Sequence, residues 1–280
     1  MPVRTRPWAN LRIAGAGGAL LLALIAGPAG AQLRTEVVTV DVRPGATMQY
    51  LEIRGSQQPS ATVILFAGGD GVLGLQPSGK IGTDLALNFL IRSREHFVRE
   101  GLAVAALDVA SDLRGGMNGD IRLSAQHARD VARVIAVLKN RIGAPVWVVG
   151  TSSGTISAAS VAARLAQSEP RPDGVVLTST QSTLTPGLCG RTVYFAQLAA
   201  IRSPVLAASH RDDGCRCSPG SAAAGAKLMA ALSAASAKEH KIFTGGDRPL
   251  SGPCDARAPH GFFGIERDVV KAIAEWIRKP

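Results

Sequence analysis

The stretch Pro145-Val146-Trp147-Val148-Val149-Gly150-Thr151-Ser152-Ser153-Gly154-Thr155-Ile156-Ser157-Ala158-Ala159 joins an apolar run to a small-residue helical pattern through Gly-x-Ser-x-Gly. The run from Pro145 to Val149 reads as a buried strand, and a helix is expected from Ile156 to Leu165. Between them the chain must bend sharply, which Gly150 and Gly154 permit, leaving Ser152 projecting from the turn. Ser157, Ala158, Ala159, Ser160, Ala162 and Ala163 are small enough for that helix to lie close on a sheet. A serine at such a bend, beside the free N–H groups of a helix N-terminus, has the setting of a nucleophile. The five-residue pattern alone is common in ordinary Gly/Ser loops; the strand before it and the helix after it carry the assignment.

Outward from this unit the same alternation repeats. Thr62–Phe66, Leu102–Leu107, Val146–Val149, Val175–Leu177, Val205–Ala208 and Ile242–Phe243 are apolar runs of the kind buried on both faces of a parallel sheet. Ala128, Val131, Ala132, Ile135, Leu138 and Ile142 recur at helical spacing with Arg129, Arg133 and Lys139 off that face. Further helices are expected over Leu85–Arg99, Ala222–Ala234 and Val269–Ile277. At the front, Val37–Val42 and Met48–Ile53 flank the turn Arg43-Pro44-Gly45, an opening hairpin. These patterns specify one α/β domain with a mostly parallel central sheet, an antiparallel N-terminal hairpin and helices on both faces. Gln181 to Ser203 is the one connection long enough for a small insertion, so no large lid domain is expected.

Composition agrees. Of 280 residues, 46% are hydrophobic and 19% charged, which excludes a disordered chain and supplies a sizeable core. The formal charge of +10 could suit an anionic partner, but the basic residues are scattered and only 4% of residues are aromatic. Nucleic acid is therefore not expected as a partner.

Residues 1–31 contain no acid, carry Arg4, Arg6 and Arg12, and run apolar from Ile13 to Ile25 before Ala29-Gly30-Ala31. This is the layout of a cleaved signal peptide, since the apolar stretch is short and Gly-rich for a hydrocarbon core of ~30 Å. The domain is then 32–280, periplasmic or secreted, with no stable membrane insertion after cleavage. Export makes oxidation the default for Cys189, Cys215, Cys217 and Cys254. Cys215-x-Cys217 is tighter than zinc-ligand spacing, so two disulfides are expected and no metal.

A nucleophilic serine needs a histidine and an acid, which in a strand-turn-helix setting follow it in the order acid, then histidine. After Ser152 the histidines are His210, His240 and His260. His240 sits in the charged run Lys238-Glu239-His240-Lys241 and reads as a surface residue; His210 reads as structural or as a wall of the site. His260, in Pro259-His260-Gly261-Phe262 before the last helix, is the expected base. Asp212 and Asp213 directly follow the strand Pro204–Ser209, where an acid can hold the imidazole tautomer. Asp213 is preferred and Asp212 is the alternative; Asp247, in Gly245-Gly246-Asp247, reads as a turn residue. Upstream, Phe66-Ala67-Gly68-Gly69-Asp70-Gly71 ends a strand with glycines that let backbone approach a substrate. Gly69 is the expected second oxyanion donor beside Ser153, with Asp70 one residue away as the alternative.

The same loop holds two decoys. Gly69-x-Gly71-x-x-Gly74 matches a dinucleotide fingerprint, but Leu75-Gln76-Pro77-Ser78-Gly79 prevents the helix that a pyrophosphate needs. Gly74 to Lys80 imitates a phosphate loop, but Ile81 stands where a magnesium-ligating Ser or Thr belongs. No cofactor is expected.

With the oxyanion loop at Gly68-Gly69, the elbow at Ser152, the acid in His210-Arg211-Asp212-Asp213-Gly214-Cys215 and the late His260-Gly261-Phe262, the chain resembles the α/β-hydrolase superfamily. The likeness runs from Thr62 to the C-terminus and is greatest to small exported bacterial members. It departs in lacking the histidine of the His-Gly-Gly oxyanion pattern and in duplicating the aspartate. The resemblance implies an exported serine hydrolase acting on a small-molecule acyl substrate, a carboxylic ester before a thioester or peptide bond. A non-catalytic binding protein on the same scaffold and a nucleotide-dependent oxidoreductase are the alternatives from other classes. The acyl and leaving groups and the oligomeric state are left open. A Cys215–Cys217 bridge would strain disulfide geometry, so two pairings remain. Cys215–Cys254 with Cys189–Cys217 is preferred, because Cys215 follows Asp213 and Cys254 precedes His260 on loops that must converge.

Overall fold

In the computed structural model, residues 1–3 and 33–279 are described. The leader expected over residues 1–31 falls outside them apart from its first three residues. Eight strands form one sheet: β1 (Arg34–Arg43), β2 (Ala46–Arg54), β3 (Thr62–Phe66), β4 (Ala103–Ala110), β5 (Val146–Thr151), β6 (Gly174–Thr178), β7 (Val205–His210) and β8 (Lys238–Phe243). Their spatial order is β1-β2-β4-β3-β5-β6-β7-β8. The β1–β2 and β2–β4 pairs are antiparallel, and every pair from β4 to β8 is parallel.

The helices are α1 (Phe89–Arg92), α2 (Arg94–Arg99), α3 (Gly119–Leu123), α4 (Ala125–Ile142), α5 (Gly154–Arg164), α6 (Ala222–Ala231) and α7 (Glu266–Ile277). Because strand side chains alternate between faces, the continuous apolar runs feed two cores. Ile64, Phe66, Val146 and Val148 pack with residues of α4, α5 and α6 on one face. Val63, Leu65, Trp147 and Val149 pack with residues of α1, α2 and α7 on the other. Each fully buried Val, Leu or Ile contributes roughly 1.5–3 kcal/mol, so a slip of one residue in any of these strands would still bury apolar atoms.

Two local expectations need correction. Leu85–Arg99 is not one helix but a 3₁₀ turn (Asp84–Leu87) followed by α1 and α2. Asn88 leaves helical conformation (φ −54°, ψ 142°) and its side chain accepts from Leu90 N–H, starting a new helix; Ser93 makes the second break. The α6 helix stops at Ala231, three residues before the expected end, where the Lys238 ammonium donates to the carbonyls of Met229 and Leu232. Helix α3 was not anticipated; its signal is the cap Asn118, which accepts from Ile121 N–H. Between Gln181 and Ser203 lie an antiparallel bridge (Thr185 with Cys189) and two 3₁₀ turns, Val193–Ala196 and Leu198–Ala200.

The neighbours β3 and β5 position the site. From β3 the chain passes to the α1/α2 face and from β5 to the α5 face, so their carboxyl ends diverge around a crevice, as at the switch point of an open α/β sheet.

Candidate active site

Ser152 occupies the bend between β5 and α5 in the left-handed region, at φ 52°. For a serine this backbone costs of order 1–3 kcal/mol, and the surroundings hold it there. Ser152 N–H donates to Thr178 C=O at the end of β6 (3.1 Å), and Ser152 C=O accepts from Thr155 N–H (3.0 Å). The two flanking glycines are steric requirements: a Cβ on Gly150 would strike the Gly154 carbonyl, and one on Gly154 would strike the carbonyls of Phe66 and Ala67.

Across the crevice, the loop after β3 comes so near that a Cβ on Gly68 would sit 3.0 Å from Ser152 Cβ. Gly69, at φ 59°, has its carbonyl held by the Ser153 hydroxyl (2.8 Å). Ser153 caps α5 without using its side chain for the cap. Among the described residues, neither the Gly69 nor the Ser153 N–H donates to a protein acceptor. Two free amides beside one serine, one at the positive end of a helix, suit an oxyanion. Gly69 lines both clefts described below and Asp70 neither. Asp70 instead accepts from Val72 N–H within its own loop.

Asp213 and His260 meet. Asp213 lies in the turn after β7, where its N–H donates to His210 C=O. Its side chain is fully buried, with Oδ2 2.9 Å from His260 Nδ1 and Oδ1 accepting from Cys215 N–H at 2.9 Å. Asp212 points outward and pairs with Arg211, whose guanidinium holds the Asp212 carboxyl below its usual range. His260 sits in a 3₁₀ turn (Pro259–Gly261) pinned by its backbone: Ser179 Oγ donates to its carbonyl (2.6 Å), and Arg92 donates to that of Gly261 (2.7 Å). His260 Nε2 is buried and, among the described residues, without a hydrogen-bond partner.

Ser152 stands where two clefts meet. One, of about 510 Å³, also contains His260, Leu85, Phe89 and Arg257. The other, of about 490 Å³, contains Ser153, Arg122, Gln181, Arg191 and all four cysteines. Cys215 lies against Cys254 and Cys189 against Cys217 at disulfide distance, with Cα separations of 4.5 and 6.1 Å. The Cys215, Cys217 and Cys254 sulfurs lie within 4.8 Å of one another. Bonded in pairs they offer no thiolate, which is the form that ligates metal.

The remaining histidines are accounted for by packing. His210 is buried, with Nε2 2.8 Å from Gly245 C=O and Nδ1 accepting from Asp212 N–H. His240 is half-buried rather than solvated: Nε2 lies 3.1 Å from Ser209 Oγ and the ring covers Gly225, where no side chain would fit. Its charged neighbours in sequence misled because Glu239, His240 and Lys241, in the middle of the edge strand β8, are all partly buried. Asp247 is an exposed loop residue whose N–H donates to Phe263 C=O. Sequence reasoning missed Ser179 and Arg92, which hold the histidine turn; neither stands in a motif.

No protein-family model matches the chain, and no curated protein sequence matches it. Solved structures do. One of two fungal esterases from Rhizomucor miehei superposes with a TM-score of 0.58 at 14% identity, over 91% of this chain and 86% of that one. A dienelactone hydrolase from Anabaena variabilis gives 0.56 at 17% identity, over 88% and 97%. A cold-adapted esterase from an Arctic intertidal metagenomic library gives 0.54 at 16%, over 86% and 94%. Together with the strand order and the elbow between β5 and α5, these likenesses show that the chain has the α/β-hydrolase fold.

Proposed function

We propose that this chain is an exported serine hydrolase that cleaves a carboxylic ester through Ser152, Asp213 and His260. The observation that carries the reading is the buried Asp213–His260 pair, whose free Nε2 belongs to the same cleft as a serine held at φ 52°. Asp213 keeps the proton on Nδ1, so Nε2 is the basic nitrogen and takes the Ser152 proton. The alkoxide attacks the ester carbonyl, and the N–H groups of Gly69 and Ser153 receive the oxyanion. Imidazolium then protonates the departing alcohol, and a water activated by the same Nε2 releases the acid. The esterases among the structural neighbours favour an ester over other acyl bonds. The cysteine pairing favours an oxidising compartment, as does the leader-like sequence of residues 1–31. Among the described residues no helix is long and apolar enough to cross a membrane.

A fluorophosphonate probe tests the reading, because it reacts only with a base-activated serine beside an oxyanion site. The expected label is on Ser152, lost in Ser152→Ala with the melting temperature unchanged. Label that persists in that variant, or that maps to Ser153, refutes it.

A further inference from the structure

Against the oxyanion loop, and also lining the second cleft, lies a cation that the triad does not use. Arg122, on α3, is 1% exposed and among the described residues forms no salt bridge, although the Asp70 carboxylate on the neighbouring loop acts on it electrostatically. An unpaired buried charge is costly, and a well-packed apolar side chain of similar volume would serve a core better. The Arg122 guanidinium bridges the loop and α5, while Nε is buried without a hydrogen-bond partner among the described residues. Nη2 donates to the carbonyls of Gly69 (3.1 Å) and Ala67 (3.4 Å), and Nη1 donates to Ser157 Oγ (3.0 Å) on α5. Ser157 Oγ in turn lies 3.1 Å from Nε2 of buried His127. Burial, reinforced by the Arg122 charge, pushes the His127 pKa down to about 3, so this histidine is neutral and adds no second cation. The fit is close: a Cβ on Gly71 would come within 2.8 Å of Arg122 Nη2.

The loop needs such a holder. Gly68, Gly69 and Gly71 have wide conformational freedom, while an oxyanion donor is effective only when its direction is fixed before reaction. The carbonyls of Ala67 and Gly69 belong to the peptide groups on either side of the Gly68–Gly69 peptide, which carries the Gly69 N–H. Fixing both fixes the dihedrals that aim it. Resting on the hydrolase reading above, we propose that Arg122 is a positioning residue that clamps the Ala67–Gly71 loop. It thereby directs the Gly69 N–H at the oxyanion.

The test uses Arg122→Met, Arg122→Lys and the milder Ser157→Ala in the full chain, each with its melting temperature, kcat and KM on a neutral p-nitrophenyl ester, and rate of fluorophosphonate labelling. Arg122→Met is expected to lower kcat by about 100-fold, the size of losing one oxyanion donor, with KM within about threefold. Labelling per folded molecule should slow in parallel. Arg122→Lys keeps the charge but not the planar fork, and should fall between; Ser157→Ala should lose several-fold. A folded Arg122→Met with kcat within about threefold of the parent overturns the proposal, as does a raised KM at unchanged kcat, which would mark a substrate-binding residue instead. If Arg122→Met does not fold, unchanged turnover in folded Ser157→Ala overturns it. A parent chain that the probe does not label at Ser152 overturns the hydrolase reading and this proposal with it, whereas a labelled parent with an equally reactive Arg122→Met overturns the clamp alone.

Discussion

Replacing Asp213 by asparagine separates the acid from its neighbour and from the fold. The carboxylate accepts two hydrogen bonds, from His260 Nδ1 and from Cys215 N–H, both at 2.9 Å, with no exposed surface. An asparagine has one acceptor and one donor at the same two positions. If its oxygen keeps the Cys215 N–H, its NH₂ faces His260 Nδ1 and drives the proton to Nε2, which can then no longer accept from Ser152. If the amide turns over, NH₂ meets the Cys215 N–H, and an unsatisfied buried donor costs about 1–3 kcal/mol. The first arrangement is cheaper, so the variant should fold and fail. Loss of the tautomer lowers kcat by ~10⁴-fold in hydrolases with this triad, about 5.5 kcal/mol of transition-state stabilisation. Asp212→Asn removes only an exposed pair with Arg211 and should leave kcat within about twofold. The assay is kcat on a p-nitrophenyl ester for both variants at equal folded fraction. If Asp213→Asn retained a tenth of parental turnover, or the larger loss fell on Asp212, the tautomer argument would be refuted.

Breaking the Cys215–Cys254 bridge, which closes 39 residues, by paired Cys→Ser replacement should cost ~3–4 kcal/mol in urea unfolding and also lower turnover, because it ties the acid loop to the histidine loop. The Cys189–Cys217 pair should cost similar stability with less effect on turnover; equal kinetic effects would refute the register argument, and non-reducing peptide mapping checks the pairing itself. His127, ordinarily protonated near pH 6.5, is held neutral in the fold down to about pH 3 by burial and by Arg122. The unfolded chain therefore binds the extra proton first, and the stability this histidine contributes is complete above pH 6.5 and lost as pH falls towards 3. His127→Gln should flatten that acid limb by roughly 2–3 kcal/mol between pH 7 and pH 4.5, as measured by urea titration; an unchanged slope would contradict it. Gly154→Ala places a methyl group on the carbonyls of Phe66 and Ala67 and should destabilise by about 3 kcal/mol or more in the same titration, whereas wild-type stability would show that α5 can shift away from β3.

The eight strands, the hairpin and the bend between β5 and α5 were legible in the sequence. Each rests on local chemistry: runs of Val, Leu and Ile that only a doubly covered sheet can bury, and glycines where any Cβ would strike a carbonyl. The cysteines expected to pair, Cys215 with Cys254 and Cys189 with Cys217, lie at disulfide distance. The rest depended on packing between segments far apart in the chain. Asp212 and Asp213 are alike in sequence, and a turn closed by Asp213 N–H on His210 C=O sends one carboxylate inward and the other to solvent. His240 was misread because its neighbours are charged, while its burial depends on β8 lying against β7 and α6 supplying Gly225. Arg122 had no local signal at all: one arginine between Ile121 and Leu123 resembles any solvated arginine. Its role follows from α3 carrying it under a loop 53 residues earlier in the chain. Periodicity records which face of an element is buried, but which polar atom meets which across the sheet is set by packing between segments far apart in sequence.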